Sequence, residues 1–79
     1  MSKFREFVRF IKKNGTLEEV AIEAGTTPLY LEGPLYKGYK TPKKDLWKNL
    51  VKISNGRLTD ADMVDHFIRR TKKEGVENV

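Results

Sequence analysis

Apolar side chains recur at helical spacing in short segments of this chain, and turn residues separate the segments. In the first segment the apolar positions follow the i, i+3, i+4, i+7 pattern of an amphipathic helix. Ser2 stands where a helix cap is needed and Asn14-Gly15 is a stop signal, so we predict a helix that ends near Lys13. Its predicted inward side chains are Phe4, Phe7, Val8 and Ile11.

The second and third predicted helices lie on either side of Gly25. Thr16 and Glu19 have the spacing of a capping box, and Gly25 is suited to end the helix in a left-handed conformation. Thr27-Pro28 combines a cap with proline at the first helical position, which predicts an immediate third helix. Gly33-Pro34 either ends or kinks that helix, because proline inside a helix costs about 3 kcal/mol.

Two more helices are predicted in the second half of the chain. Thr41-Pro42 repeats the cap-plus-proline signal ahead of apolar positions at helical spacing, namely Leu46, Trp47, Leu50, Val51 and Ile53. Asn55-Gly56 ends this fourth helix, and Thr59 with Asp62 caps a fifth, whose apolar face carries Met63, Val64, Phe67 and Ile68. The pattern stops at Arg69, so we predict one domain over residues 1–68 and a flexible tail over 69–79. The predicted fold class is all-α.

Composition narrows the possible functions. The 79 residues include no cysteine and one histidine, so disulfides are excluded and neither a metal site nor a cofactor is predicted. The chain has no Ser/His/Asp set and no glycine-rich phosphate loop, and we predict that it is not an enzyme. No apolar run approaches the roughly 20 residues that cross a bilayer. We therefore expect a soluble, cytoplasmic protein without a membrane partner.

The net charge of +5 is unevenly distributed along the chain. Residues 1–14 carry a net charge of +4, residues 15–32 carry −4, and residues 33–57 carry +6. Basic segments favour a polyanionic partner, because neutralising phosphates releases counterions. The alternative is a lysine-rich surface that is simply solvated.

The residues around Gly25 have the spacing of a helix-turn-helix. Ala21, four residues before the glycine, is small enough for two helices to cross closely, and Leu31, six residues after it, can pack the second helix onto the first. With Val20 and Ala24, these residues resemble the helix-turn-helix of the phage Cro/CI-type repressor family, which includes the YdaS-like antitoxins. The proline-led segment from Thr41 and the glycine-containing turn at residues 53–59 are similar to the segments that come after the recognition helix in Cro-like proteins.

This resemblance implies a small five-helix, lambda-repressor-like domain. It implies a sequence-specific transcriptional regulator, a repressor that binds double-stranded DNA as a homodimer in a bacterial host cell, with the third helix in the major groove. An alternative function uses the same scaffold to bind a protein, either a transcription factor or, for an antitoxin, its toxin. The acidic stretch 16–32 and the apolar run Pro28–Leu31 favour that alternative.

The candidate DNA-binding residues occupy three helix starts and the Gly/Tyr/Lys segment after the third helix. They are Thr16, Thr27, Pro28, Leu29, Tyr30, Glu32, Tyr36, Lys37, Tyr39, Lys40, Lys43 and Lys44. Each type has an alternative structural role: the threonines as caps, the tyrosines as packed rings, the lysines as surface charge. Trp47 is predicted to lie in the core, and Phe10, Phe67 and Ile68 either in the core or in a dimer surface. His66 is expected to be exposed or half-buried.

Overall fold

The described residues of the chain fold into five helices, as the sequence predicts. The computed structural model describes residues 2–69, except the side chain of Arg69, and contains no strand in that range. Two of the helices, α3 and α5, continue directly into π-helical turns, at Leu31–Leu35 and Asp65–Arg69. The helices are α1 (Lys3–Lys13), α2 (Leu17–Ala24), α3 (Pro28–Tyr30), α4 (Lys44–Ile53) and α5 (Asp60–Val64). Apart from the backbone of Arg69, the predicted tail lies outside the described residues.

One hydrophobic core joins all of these helices. All four apolar positions predicted for α1 are buried, because they form a single stripe on that helix. Burying a valine, leucine, isoleucine, phenylalanine or methionine side chain contributes about 1.5–3 kcal/mol, and ten residues of these types stabilise this core without disulfides. The core consists of Phe4, Phe7, Val8, Ile11, Ala21, Ala24, Leu31, Leu35, Leu50, Leu58, Met63 and Phe67.

The junction of α1 and α2 differs from the prediction. Ser2 caps α1 as predicted, accepting from the backbone N–H of Arg5 at 3.1 Å. Thr16, however, makes no side-chain cap for α2, and its hydroxyl donates instead to the carbonyl of Ile11 at 3.3 Å. The predicted capping box is therefore wrong. The backbone N–H of Thr16 also donates to Ile11 O at 2.9 Å, so the threonine closes the end of α1.

The connection between α2 and α3 agrees with the prediction. Gly25 has φ +89°, a left-handed conformation that favours glycine, and the N–H of Thr26 returns to Ala21 O at 2.9 Å. The hydroxyl of Thr27 caps α3, accepting from the N–H of Tyr30 at 3.2 Å. Ala21 and Leu31 are both fully buried.

Gly33-Pro34 neither ends nor breaks the third helix. Proline has no N–H and its ring would collide with the carbonyl of the preceding turn, so the backbone widens into a π-helical turn here. Within that turn the N–H of Tyr36 donates to the carbonyl of Leu31, five residues back. The helix ends at Gly38, whose φ is +81°, where the N–H of Tyr39 donates to Pro34 O at 2.9 Å.

The fourth helix starts later than predicted. Its N-cap is Lys43, which makes no side-chain cap, and α4 begins at Lys44 rather than directly after Thr41-Pro42. Pro42 is buried ahead of the helix, so packing and not capping explains this proline. The capping box of Thr59 and Asp62 at the start of α5 is confirmed, with both reciprocal hydrogen bonds present.

The end of the described chain corrects two expectations. His66 is fully buried, because both ring nitrogens find partners: Nδ1 lies 2.7 Å from Ser2 Oγ, and Nε2 donates to Leu35 O at 2.8 Å. The helix therefore turns His66 inward and leaves Ile68 45% exposed, so Ile68 does not share the buried face. Phe67 belongs to the core and is not available as a dimer contact.

Candidate nucleic-acid interface

The third helix, meaning α3 with its π-helical turn, has a buried face and an outward face. Leu31 and Leu35 are buried without residual exposure, whereas Leu29 is 80% exposed and Lys37 is exposed at the end of the helix. Gly33 lies between them in sequence, and a Cβ added there would meet nothing within 4 Å beyond its chain neighbours and its own helix backbone. The outward face thus presents the methyl groups of Leu29, backbone at Gly33 that no side chain covers, and the ammonium group of Lys37.

One flank of the third helix faces α1 across an open groove of about 670 Å³. Three cations and one carboxylate share this groove, which we call the α1 groove. It is lined by Val8, Arg9, Lys12, Lys13, Glu32 and Tyr36. Lys12 Nζ lies 3.5 Å from Glu32 Oε2, a carboxylate oxygen that is buried and has no hydrogen-bond partner. Glu32 therefore lies on the α1 flank of the third helix.

Arg5 holds the end of the third helix against α1. Its Nε–H donates to the carbonyl of Tyr36 at 3.0 Å, and its guanidinium lies 5.1 Å from the centroid of the Tyr36 ring. A cation at the carboxyl end of a helix is favourable, because the last carbonyls carry partial negative charge. Tyr36 is half-buried in consequence, with its ring packed and not freely presented to solvent.

The opposite flank faces the start of α4 across a second groove, of about 440 Å³, which we call the α4 groove. Tyr30 is half-buried in this groove beside Lys43 and Asp45. The remaining lining residues are Ala24, Gly25, Thr26, Leu46 and Asn49. Asn49 Nδ2 donates to the carbonyl of Ala24 at 3.0 Å, which ties α4 to the turn between α2 and α3.

The segment after the third helix is exposed at the surface. Tyr39 is 76% exposed and the ammonium of Lys37 lies 5.9 Å from the centroid of its ring. Lys40, Lys43 and Lys44 are exposed as well. Most of the predicted DNA-binding residues therefore lie along the third helix or in the chain directly after it.

Three of the predicted residues have structural roles in the fold. Thr16 lines neither groove and its hydroxyl is hydrogen-bonded to Ile11. The hydroxyl of Thr27 is used as the cap of α3, although the residue is exposed. Pro28 is half-buried at the first helical position, which matches the role of proline at a helix start.

Sequence reasoning marked residues 1–14 as basic but placed no candidate site residue on α1, and it did not predict the role of Asn49. The signal for a basic side of α1 was present, since Arg5, Arg9 and Lys12 follow helical spacing directly beside the apolar stripe. No local signal marks Asn49, because its partner carbonyl is 25 residues away and is brought close only by packing of α2 against α4.

Comparison with protein-family models, with curated proteins and with solved structures gives no match to this chain. Within residues 2–69, every helix is too short or too polar to cross a lipid bilayer. The same residues contain no group of three or more His, Asp or Glu side chains that could hold a metal ion.

Proposed function

We propose that this chain is a sequence-specific DNA-binding regulator of the helix-turn-helix type. In this proposal the third helix enters the major groove and residues 36–48 contact the sugar-phosphate backbone. The protein acts as a Cro-like repressor, and it binds a pseudo-palindromic site as a homodimer. Phe10 and Ile68, which are 38% and 45% exposed, are the candidates for the dimer contact.

The observation that carries the proposal is the exposed outward face of a short helix held close to α2 by a glycine turn. Leu29 is offered to solvent while Leu31 anchors the same helix in the core. An exposed leucine suits the methyl group of thymine, and the lysines after the helix suit phosphates. The start of α4 adds to this, because its N-cap has no capping side chain and an anion near it would be stabilised.

Binding of random duplex DNA across a salt series tests the proposal. A labelled duplex of about 30 base pairs spans roughly three helical turns, and its fluorescence anisotropy reports binding. We expect binding that weakens steeply with salt, with a slope of about −0.9 for each phosphate neutralised. The Lys37/Lys40/Lys43→Glu triple variant should lose this binding.

A matched control removes the same charge from elsewhere in the sequence. The Lys52/Lys72/Lys73→Glu variant changes the net charge equally; Lys52 lines neither the α1 groove nor the α4 groove, and Lys72 and Lys73 belong to the predicted tail. If both triple variants lose the same affinity for DNA, net charge alone explains the binding, and the proposed interface at residues 36–48 is wrong. A wild type that binds no DNA at low salt contradicts the proposed function altogether.

The exposed apolar residues favour one second candidate, a protein-binding module built on the same scaffold. Leu29 and Ile22 are 80% and 68% exposed, so both apolar side chains are accessible to a partner. A transcription factor or toxin that covers these side chains would be the partner. Loss of partner binding in a Leu29→Glu variant, combined with no DNA binding by the wild type, would favour this function.

A further inference from the structure

A helix in the major groove lies between two phosphate backbones. The groove is about 12 Å wide and a helix with its side chains is about 10–12 Å across, so both flanks of the helix face phosphates. The proposed contacts of residues 36–48 serve the end of the third helix and its α4 flank. Its α1 flank has no assigned role in that function.

Cations on α1 line this unassigned flank. Arg9, Lys12 and Lys13 stand at i, i+3 and i+4, so they lie on neighbouring positions of one helix side, and all three line the α1 groove. Arg5 continues the same side of α1 and is fixed on Tyr36. The basic side of α1 is thereby held along the third helix, instead of turned toward another part of the surface.

The α1 groove already holds an anionic group of the chain itself. Glu32 reaches Lys12 at 3.5 Å, yet its Oε2 is buried and makes no hydrogen bond. The carboxylate is held by its ion pair with Lys12, so it competes with any incoming anion for that ammonium group. A phosphate oxygen, which accepts charge-assisted hydrogen bonds from several cations at once, is a stronger partner for Lys12.

We propose that the α1 groove is a second phosphate site for the duplex DNA that the third helix enters. Arg9, Lys12 and Lys13 bind a backbone phosphate there, and Lys12 exchanges Glu32 for that phosphate when DNA binds. Glu32 thus weakens binding and limits how tightly the protein holds non-specific DNA. This inference rests on the proposed function.

Neutralising the groove tests this proposal in the full-length protein. The Arg9/Lys12/Lys13→Gln variant and the Arg70/Lys52/Lys72→Gln control each remove one arginine and two lysine charges. With the random duplex of about 30 base pairs, we expect the groove variant to lose at least about tenfold in affinity and to reduce the magnitude of the salt slope by about 1, as for one lost phosphate contact. The control should change much less. Thermal melts of all variants verify that each is folded.

A second variant reports on the groove even if the triple variant does not fold. Glu32→Gln keeps the shape of the side chain and removes its charge, so we expect affinity for the same duplex to rise about twofold to fivefold. A merely structural role for Glu32 would alter the melting temperature and leave the affinity unchanged. Unchanged or reduced affinity in this variant would overturn the proposal.

The outcomes separate this inference from the function on which it rests. If the wild type binds DNA and the Lys37/Lys40/Lys43→Glu variant does not, but the groove variant matches its control, the α1 groove is no phosphate site and the proposed function stands. If the wild type binds no duplex at low salt, both proposals fail.

Discussion

The two faces of the third helix differ in what holds them and in what they offer. The inward face is fixed by burial of Leu31 and Leu35 and by the hydrogen bond from His66 to the carbonyl of Leu35. The outward face, at Leu29, contributes little to the fold. Leu29 is 80% exposed in a helix that is followed by lysines, so this face is accessible to a partner. Substitutions on the two faces should therefore affect different properties of the protein.

The largest expected effect comes from truncating the inward face. Leu35→Ala should lower the free energy of unfolding by about 2–5 kcal/mol, because it leaves a cavity at a fully buried site. Urea denaturation followed by the fluorescence of Trp47, the single tryptophan, measures the loss. A milder Leu35→Met variant should cost less than about 1.5 kcal/mol and serves if the alanine variant is unfolded. A loss below about 1 kcal/mol for alanine would contradict the burial of this face.

The next effect concerns the hydrogen bonds of His66. His66→Phe keeps a ring between Phe4 and Phe67, whose ring centroids lie 4.9 Å and 4.6 Å from that of His66, but removes both nitrogens. The loss of hydrogen bonds to Ser2 and to Leu35 should cost about 1–3 kcal/mol in urea denaturation. Ile22→Phe, at a position that is 68% exposed, is the control and should stay within about 0.5 kcal/mol. Equal effects of the two changes would mean that the buried nitrogens do not anchor the third helix.

A substitution on the outward face should lower the affinity for DNA without changing the free energy of unfolding. Leu29→Ala should leave the free energy of unfolding within about 0.5 kcal/mol, because both residues are good helix formers and the site is exposed. Affinity for a DNA site selected from a random library should nevertheless fall about fivefold, as expected for a lost contact of about 1 kcal/mol. Ile22→Ala, on the exposed side of α2, is the matched control. An unchanged affinity for Leu29→Ala would remove this side chain from the interface.

The smallest effect distinguishes the two threonines at helix starts. Thr27→Ala should cost about 1 kcal/mol, because it removes the cap of α3. Thr16→Ala should cost less than about 0.5 kcal/mol, because its hydroxyl only supplements a backbone bond to Ile11. Urea denaturation of both variants is the measurement. A larger loss for Thr16 than for Thr27 would restore the capping box that the sequence suggests.

These two threonines also show how far local sequence reasoning reaches. Both precede a helix, but Thr27 has the extended backbone of a cap, with φ −118° and ψ 155°, whereas Thr16 has φ −109° and ψ 7°. Only two residues separate Thr16 from the end of α1, so the same residue also takes part in closing that helix. The spacing of Thr16 and Glu19 contains no information about this competing bond.

The candidate site, too, can be predicted from the sequence only in part. The sequence names Leu29 and the lysines after the third helix as candidate contacts, but it does not decide whether Leu29 is exposed or buried, which depends on how the third helix packs. The sequence does not predict that the basic side of α1 lies along the third helix. Arg9 and Lys12 are regularly spaced, but regular spacing cannot tell which helix their side of α1 will face. Whether α1 lies beside the third helix depends on long-range packing, including the contact from Arg5 to Tyr36, 31 residues away.

The sequence by itself determined the all-helical class, the inward stripe of α1 and the glycine turn between α2 and α3. Each of these depends on residues within one or two helical turns of one another, so local spacing specifies them. Tertiary structure alone decided that the third helix passes through Pro34, that His66 is buried and that Asn49 holds the turn. The positions of His66 and Asn49 depend on hydrogen-bond partners more than 20 residues away. The path through Pro34 depends on the free energy gained by burying Leu35, which offsets the cost of the backbone distortion at the proline.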